Sequence, residues 1–302
     1  MKVGLVGAGP WARKTQAPSL LAHPAIDFAG VWARRPEAAA DLGAPVFDSF
    51  DALLGAVDAV AFAVPPAVQA GYALRAVQAG KHVLLDKPIA ATVTEAEELA
   101  AAVTAAGVRS MVTLTLRFAP ETRQFLDEVA GRPWAAGSGT WFSGAVLGGA
   151  YANSQWRHDD GAILDIGPHV FDLLDAALGT IARVAYSHRE VASDSWTVVL
   201  EHEGGATSTV QLSLRTPIMP SLMRIELSGT DGIATLTDRS TSSTDCFAVL
   251  LDEFLESVDK GVDHECSVHR GLHLQKVISA AAAPVTCAAA APVAWLSAPE
   301  GT

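Results

Sequence analysis

The sequence predicts an α/β protein: a Rossmann-type, doubly wound parallel sheet followed by an α+β domain with an open, mostly antiparallel sheet. The chain opens with an apolar strand, a glycine turn and a helix, and apolar runs alternate with helical segments to about residue 116. After Gly179 the pattern changes to successive strands joined by tight turns. A chain of 302 residues accommodates two domains, which we place at 1–118 and 119–302.

Net charge, the length of apolar stretches and cysteine spacing limit which binding partners and which cellular compartment we expect. A formal net charge of -12 and the lack of any basic run argue against nucleic acid or an anionic membrane surface. No apolar stretch approaches the roughly 20 residues of a membrane span. Cys246, Cys266 and Cys287 lie far apart without metal-ligand spacing, so we expect no disulfide framework, no metal site and a cytoplasmic location.

The first strand, 2–6, leads directly into a turn that suits a dinucleotide. Gly7 permits the tight turn, Gly9 lets a pyrophosphate approach the backbone, and Ala12 allows close helix packing where G-x-G-x-x-G/A has its third small residue. Pro10 and Trp11 fall inside this turn, and the helix that follows should run to about residue 21. An ordinary turn is the alternative interpretation, because the motif alone is a weak signal.

The rest of the first domain alternates strands and helices. A Thr94-x-x-Glu97 capping box predicts the start of the last helix. Six strands imply a parallel sheet that binds ligands at its carboxyl edge, where Val64 ends a predicted strand and Pro65 follows it. After the first, the predicted strands are 28–33, 46–47, 59–64, 82–85 and 110–116, and the predicted helices are 36–42, 51–54, 67–79 and 94–106.

The residues after the second strand predict the cofactor. An acidic residue there would bind the ribose hydroxyls of NAD, whereas this chain has Arg34 and Arg35. Two guanidinium groups without a carboxylate suit a 2'-phosphate, so we expect NADP to be preferred and NAD to remain possible. The alternative is that both arginines belong to a solvated polar loop.

The stretch 161–179 places charged residues in an apolar run. In one helix beginning near Asp165, the residues Asp165, His169 and Asp172 would share a face, because they are four and three positions apart. A carboxylate one turn before an imidazole can orient it and raise its basicity. The alternative is a capping aspartate and a partly buried structural histidine.

The second domain should contain a helix at 121–129, a strand at 134–142 and a glycine-rich loop at 144–149 that could act as a lid. Trp156 and Arg157 could contact a polyol or acid, or could be a core anchor and a surface charge. In the later strands, alternation predicts one apolar face from Val198, Leu200, Val210, Leu212 and Leu214. Those strands are predicted at 182–190, 195–202, 206–215, 222–228 and 233–237, with closing helices at 247–258 and 268–283.

Residues 80–88, GKHVLLDKP, resemble the GKHVxxEKP signature of the Gfo/Idh/MocA oxidoreductases, the glucose-fructose oxidoreductase and inositol dehydrogenase family. The glycine turn, this signature and the D-x-x-x-H of Asp165 and His169 follow the family's order. Residues 117–120, RFAP, resemble its "RF.P" junction into the second domain. The resemblance implies a Lys87, Asp165 and His169 catalytic set, cofactor contacts at Asp86, Lys87 and Pro88, and an oligomer, either dimer or tetramer, joined through the open sheet face.

Three positions depart from the family pattern. Asp86 replaces the glutamate of EKP, Gln69 stands where a histidine is common, and Thr115 replaces a polar residue such as asparagine before "RF.P". These changes bear on the substrate more than on the fold. The substrate contacts that we expect are Arg117, Trp156 and Arg157 together with the catalytic set.

The chemistry also follows from the residues themselves. Oxidising a secondary alcohol requires a base for the hydroxyl proton while hydride leaves the same carbon for the nicotinamide. His169 can be that base and Lys87 can stabilise the developing alkoxide, although the opposite assignment stays open because the groups titrate together. The sequence thus predicts an NAD(P)-dependent oxidoreductase acting on a sugar, cyclitol or related small hydroxy or oxo compound. A non-catalytic dinucleotide sensor and an NAD-dependent glycosidase are the alternatives.

Overall fold

The computed structural model describes residues 1–237 and 239–283. They form two sheets, one parallel with five strands and one mixed with six, as the predicted fold class requires. Cys246 and Cys266 are buried free thiols, and Cys287 lies outside the described residues. Within the described ranges, no helix combines the length and apolar character that a membrane crossing needs.

The first sheet has the strand order β2-β1-β3-β4-β5, and all its pairs are parallel. Its strands are buried because helices cover both faces, which explains their near-continuous apolar runs. The strands are β1 Lys2–Val6, β2 Asp27–Trp32, β3 Ala59–Phe62, β4 His82–Leu85 and β5 Ser110–Val112. The helices are a π-helix at Ala12–Gln16, α1 Ala17–Ala22, a 3-10 helix at Pro36–Ala39, α2 Phe50–Ala56, α3 Pro66–Gln78 and α4 Val93–Ala106.

Two strand predictions for this sheet were wrong. Val46 makes one isolated bridge to Val31, so the predicted strand at 46–47 does not form and the sheet has five strands. β5 ends at Val112, and the apolar residues beyond it form the buried 3-10 helix Thr115–Phe118. An apolar run bounded by polar residues does not by itself distinguish a buried strand from a buried helical turn.

The capping box was predicted two residues too late. Thr92 accepts a hydrogen bond from the Glu95 amide at 3.2 Å, and the Glu95 carboxylate accepts one from the Thr92 amide at 3.0 Å. Thr94 and Glu97 repeat the same spacing inside the helix, so the pattern occurred twice and the earlier copy starts α4.

The second sheet has the order β11-β10-β6-β9-β8-β7. Only β6 and β9 pair in parallel; the other neighbours are antiparallel. The predicted apolar face is confirmed, since Val198, Leu200, Val210, Leu212 and Leu214 are at most 1% exposed. Its strands are β6 Trp134–Phe142, β7 Ile181–Glu190, β8 Ser195–His202, β9 Thr207–Ser213, β10 Leu222–Gly229 and β11 Gly232–Thr237.

The helices of the second part pack on this apolar face and on the first sheet. α8 lies across β6, where Gly137 and Gly139 leave room for Leu174 and Val170. α10 packs against both α4 and β7, and the Val268 amide donates to Ser110 at 2.9 Å. The helices are α5 Pro120–Val129, a 3-10 helix at Gly149–Tyr151, α6 Gln155–Asp159, α7 Ala162–Asp165, α8 Gly167–Leu178, α9 Ser243–Lys260 and α10 Val268–Ala282.

The single helix predicted from Asp165 is wrong. Asp165 is the last residue of the short helix α7. The helix is interrupted at Ile166, and α8 begins at Gly167 with Pro168 in its first turn. Proline lacks an amide hydrogen and is tolerated in the first turn of a helix, so the break falls immediately before it. Asp165 and His169 therefore belong to different helices.

Candidate active site

A cavity of about 210 Å³ lies between the carboxyl edge of the first sheet and the second sheet. The first domain contributes the residues that follow β4 and β5, and the second contributes the ends of β6 and β9 together with α7, α8 and the start of α9. Ligands of parallel α/β sheets bind at this edge. The reaction pocket, as we call this cavity, is lined by Trp11, Asp86, Lys87, Thr113, Thr115, Leu116, Trp141, Ser143, Ala145, Tyr151, Arg157, Asp165, Ile166, His169, Leu214, Arg239 and Ser243.

Lys87 projects from the turn after β4, and its side chain is 14% exposed. Its Nζ donates to Asp165 Oδ1 at 2.9 Å and also to the carbonyl oxygen of Asp165. A carboxylate and a carbonyl oxygen both accept from the same amino group, so these two contacts fix the position of Lys87 Nζ.

The turn that carries Lys87 is held by a buried amide. The Gln69 side chain donates to the carbonyl oxygens of Asp86 at 2.7 Å and Ile89 at 3.0 Å, and accepts from the Asp86 amide at 2.8 Å. A weaker contact at 3.3 Å reaches the carbonyl of Pro88, whose peptide bond with Lys87 is cis. Gln69 is 0% exposed, so these bonds satisfy backbone groups that water does not reach.

Asp165 binds a second cation. Arg157 approaches it with Nε at 2.8 Å from Oδ2 and Nη2 at 3.2 Å from Oδ1, and the guanidinium lies 4.2 Å from the ring centroids of both Tyr151 and Trp156. Burial alone would raise the pKa of Asp165, but the charges of Lys87 and Arg157 outweigh it and lower that pKa. Asp165 is therefore ionised, and Arg157 binds it rather than facing the pocket as a free donor.

His169 is 7% exposed, and its ring lies 5.7 Å from the ring of Trp141. Burial, reinforced by the charge of Lys87, lowers the pKa of the imidazole well below its usual value. His169 Nδ1 is buried and has no hydrogen-bond partner among the described residues. The imidazole is therefore neutral at neutral pH and able to accept a proton, but the predicted hydrogen-bonded pairing with Asp165 does not form.

Asp172 does not join this group. It is 1% exposed, forms an ion pair with Arg270 at 2.7 Å, has Arg117 3.7 Å away, and does not line the reaction pocket. Asp172 and His169 lie three positions apart in α8, so Asp172 is separated from the catalytic set by its two arginine partners and not by the break at Ile166. Arg117 also binds Glu265, and it lines a different cavity, so the structure places this predicted substrate contact outside the reaction pocket.

Asp86 lies behind Lys87. It accepts hydrogen bonds from Thr113 Oγ1 at 2.9 Å and from the Lys87 amide at 2.8 Å. Burial raises the pKa of its carboxyl, against the opposing charge of Lys87. Asp86 thereby fixes the turn from the sheet side as Gln69 does from the helix side.

A groove suited to a dinucleotide runs from the glycine turn to the reaction pocket. Gly7 has a φ of +112°, and a Cβ there would lie 2.4 Å from the carbonyl oxygen of Ala63. A Cβ on Gly9 would meet no described atom within 4 Å, so its backbone faces open space. Gly7, Gly9, Val64 and Pro65 line a cavity of about 260 Å³ at the ends of β1, β2 and β3. These features fit a pyrophosphate lying against exposed backbone amides.

A second cleft of about 740 Å³ shares Gly9, Val64 and Pro65 with that cavity and Trp11 and Asp86 with the reaction pocket. The three cavities thus form one continuous groove. Its far end is lined by Arg34 and Arg35, which are exposed and make no ion pair with any described residue. Over the described ranges, no group of three or more His, Cys, Asp or Glu side chains is placed to hold a metal ion.

Comparison with known families agrees with this arrangement. Residues 1–114 match the Gfo/Idh/MocA model described as "Oxidoreductase family, NAD-binding Rossmann fold", and residues 134–235 match the C-terminal domain of the same family. The chain belongs to the Gfo/Idh/MocA family.

Curated relatives match over part of their length. D-xylose 1-dehydrogenase (NADP(+)) 2 of Haloferax volcanii is 32% identical over 182 residues, which are 57% of this chain and 55% of that protein. D-apiose dehydrogenase of Paraburkholderia graminis is 29% identical over 176 residues, 54% of this chain and 46% of that one. The chain therefore spans about half the length of the curated relatives that it matches.

Solved structures share the fold over nearly the whole chain. GenD2 from gentamicin A biosynthesis, in complex with NAD, superposes with a TM-score of 0.84 at 21% identity and covers 94% of both chains. Levoglucosan dehydrogenase, in complex with NADH and levoglucosan, gives 0.80 at 18% identity over 94% of this chain and 97% of that one. At these identities the likeness establishes the architecture.

Four residues anticipated from the sequence lie apart from the expected contacts. Ala12 is buried in the π-helix and Pro88 lies in the turn, and neither lines the groove. Arg117 lines a different cavity from the reaction pocket. Trp156 lines the second cleft, of about 740 Å³, rather than the reaction pocket.

The sequence did not identify several residues that line the reaction pocket. Trp141 and Tyr151 come from β6 and the loop after it, and Arg239 and Ser243 come from the segment that joins β11 to α9. No family motif covers these positions. The sequence marked Arg239 only as a charged residue between the last strand and a capped helix, which did not indicate that it lines the pocket.

Proposed function

We propose that the chain is an NADP-preferring oxidoreductase that transfers hydride between nicotinamide and a sugar, cyclitol or related small hydroxy or oxo compound. The observation that carries the proposal is the convergence of Lys87, Asp165 and His169 in a pocket that opens into the dinucleotide groove. The arrangement combines a neutral base with a fixed ammonium, the two groups that alcohol oxidation needs.

In this proposal each polar group has one role. His169 takes the hydroxyl proton, since its imidazole is neutral in the buried site. Lys87 donates a hydrogen bond to the developing alkoxide, and Asp165 holds Lys87 in place. Bound NADP⁺ supplies the hydride acceptor. Because Lys87 Nζ already donates to Asp165, whereas His169 Nδ1 has no partner among the described residues, the geometry favours His169 over Lys87 as the base.

Two observations support the preference for NADP. Arg34 and Arg35 follow β2 at the far end of the groove, where they are free of carboxylate partners among the described residues. The xylose dehydrogenase of Haloferax volcanii, 32% identical over its matched region, is named for NADP(+). We also retain, as proposals, a domain boundary at 118/119, a cytoplasmic location and assembly into a dimer or tetramer through the open face of the second sheet.

Two substitutions test the catalytic set. Lys87→Ala and His169→Asn should each lower kcat by about 10²–10⁴-fold, the usual worth of a positioned acid or base. The affinity for NADPH should stay within about threefold, because neither change alters the phosphate-binding turn. Steady-state rates on whichever aldose, cyclitol or oxidised form gives turnover, together with NADPH titrations, provide both measurements.

Exposed residues of the same type serve as controls. Lys276 is 52% exposed and pairs with Glu97, and His188 is exposed on β7, so Lys276→Ala and His188→Asn should retain wild-type rates. Wild-type kcat in Lys87→Ala or His169→Asn would contradict the assignment. Tight cofactor binding without turnover on any compound would contradict the enzyme and favour a dinucleotide sensor.

A further inference from the structure

Arg239 lines the reaction pocket from the segment between β11 and α9. Its Nη2 donates to Ser243 Oγ at 2.6 Å, and its Nη1 lies 3.9 Å from the Cys246 sulfur. The guanidinium is close enough to His169 that its charge contributes to lowering the pKa of that imidazole. A cation thus faces the proton-accepting group from the second domain.

Arg239 differs from the other cations of the pocket because no described carboxylate forms an ion pair with it. Lys87 and Arg157 share Asp165. Asp86 is engaged by Thr113 and the Lys87 amide, and burial raises its pKa. Among the described residues, the lining holds three cations and two carboxylates, and the cation without a carboxylate partner is Arg239.

The segment next to Arg239 is fixed in place. Glu121 accepts hydrogen bonds from the Ser240 amide at 2.7 Å, the Thr241 amide at 2.9 Å and the Thr241 hydroxyl at 2.7 Å. Burial opposes ionisation of Glu121, but these bonds outweigh it and hold its pKa at about 2. Glu121 is thus committed to Ser240 and Thr241, which anchor the chain on the C-terminal side of Arg239.

Other groups around the pocket reinforce its preference for an acceptor. Ser243 lies at the start of the 18-residue helix α9, whose N-terminus carries partial positive charge. Trp11 lines the pocket, and its Nε1, which can only donate, is buried with no hydrogen-bond partner among the described residues. Two donor side chains without a carboxylate partner among the described residues, Arg239 and Trp11, thus line the pocket, whereas its two carboxylates already accept hydrogen bonds.

We propose that Arg239 binds a carboxylate of the substrate, so that the compound oxidised or reduced is a polyhydroxy acid of the aldonate or uronate class. This inference rests on the proposed function, since it assigns the substrate class of the same pocket. A single anionic group compensates the single excess cation, and planar bidentate pairing of guanidinium with carboxylate is geometrically specific. The carbinol then lies toward His169 and Lys87.

Binding to the NADPH-loaded protein provides the test, because alcohol oxidation has no hydride acceptor in that state, and the NADPH absorbance checks that the aldoses are not reduced during the titration. Isothermal titration compares D-gluconate with D-glucitol, and D-glucuronate with D-glucose, which differ in the carboxylate. The acid of at least one pair should bind at least about tenfold more tightly than its neutral partner. Arg239→Gln should abolish that preference. Arg239→Lys keeps the positive charge but lacks the planar guanidinium that pairs bidentately with a carboxylate, so it should retain part of the preference.

Arg183→Gln is the matched control, because Arg183 is 62% exposed on β7 and pairs with Glu201 outside the pocket. It should leave the acid preference unchanged. Equal affinity for acid and neutral partners, failure of every acid to bind, or an acid preference that survives in Arg239→Gln overturns the inference. D-glucose 6-phosphate binding more tightly than D-glucuronate would overturn the carboxylate assignment in favour of a phosphate ester.

Turnover measured beside binding separates this inference from the function on which it rests. Hydride transfer with neutral sugars alone, without an acid preference in binding, would leave the oxidoreductase standing and overturn the role of Arg239. Selective, Arg239-dependent acid binding with no hydride transfer on any tested compound would support the binding site and contradict the oxidoreductase.

Discussion

The chemistry of the pocket depends on how burial acts differently on two neighbouring residues. Asp165 is buried against two cations and stays ionised, while His169 is buried without a hydrogen-bond partner at Nδ1 in the described structure and stays neutral. One environment therefore supplies both a fixed anion and a free base. Asp165 acts through Lys87, which it binds, rather than through the imidazole.

The neutral imidazole has a consequence for stability. Below about pH 6.5 an unfolded His169 takes up a proton that the native state does not, because its native pKa is well below that value. The free energy of unfolding should therefore fall as pH drops below 6.5, by up to about 1.4 kcal/mol per pH unit from this group. His169→Asn removes this contribution.

Urea unfolding at pH 7.5 and 5.5 checks the direction in which the free energy of unfolding changes with pH. The wild-type protein should lose about 1 kcal/mol more than His169→Asn between these values. The exposed His188→Asn variant should track the wild type. An equal pH dependence in the wild type and His169→Asn would contradict a buried, neutral imidazole.

At the residue scale, sequence motifs predicted which side chains meet but not how they pair. The resemblance brought Lys87, Asp165 and His169 together, and the structure places all three in one pocket. The ion pair of Arg157 with Asp165 was not predicted, because it depends on the turn between α6 and α7. Arg239 was missed because its position depends on a hydrogen-bonded segment outside every motif.

At the scale of elements, the turn after β4 depends on α3. Gln69 is buried in α3 and holds three carbonyls and one amide of that turn. A residue that the sequence marked as a departure from the family pattern therefore has a clear structural role. Its amide group supplies both the donor and the acceptor that the turn needs.

Replacing this amide should affect stability and rate together. Gln69→Ala leaves buried backbone groups without partners, so we expect a loss of about 2–3 kcal/mol in the free energy of unfolding. kcat should fall at least about tenfold, since Lys87 loses its support. Urea unfolding and steady-state kinetics measure both effects. Gln78→Ala, at an exposed position of the same helix, should change neither, and wild-type stability in Gln69→Ala would contradict the role.

Element boundaries were predicted less well than element types. Strand and helix alternation, the glycine turn and the two-face pattern of β8 and β9 are local or periodic signals, and the structure bears them out. The early end of β5 is set by contact with a distant segment, whereas the break at Ile166 falls next to Pro168, whose place in a first turn the apolar pattern did not reveal. The Val112 amide, for example, donates to the carbonyl of Cys266 at 2.7 Å, a partner that no local pattern reveals.

At the scale of the whole molecule, the groove exists because the two sheets meet at the carboxyl edge of the first. Arg34 and Arg35 lie at one end and His169 at the other, with the glycine turn between them. Under the proposed preference, a ligand that spans this length has an anionic end at the arginines, a central pyrophosphate and a reactive ring near His169. NADP has these three parts in that order.

Side-by-side titration of the purified protein with NADPH and NADH, after any co-purified cofactor has been removed, tests this account most directly. We expect NADPH to bind at least about tenfold more tightly, since two guanidinium groups meet its 2'-phosphate. Arg34→Ala should weaken NADPH more than NADH, while Arg183→Ala, at an exposed site on β7, should weaken neither. Equal binding of the two would contradict the NADP preference, and binding of neither would contradict the dinucleotide groove and the enzyme built on it.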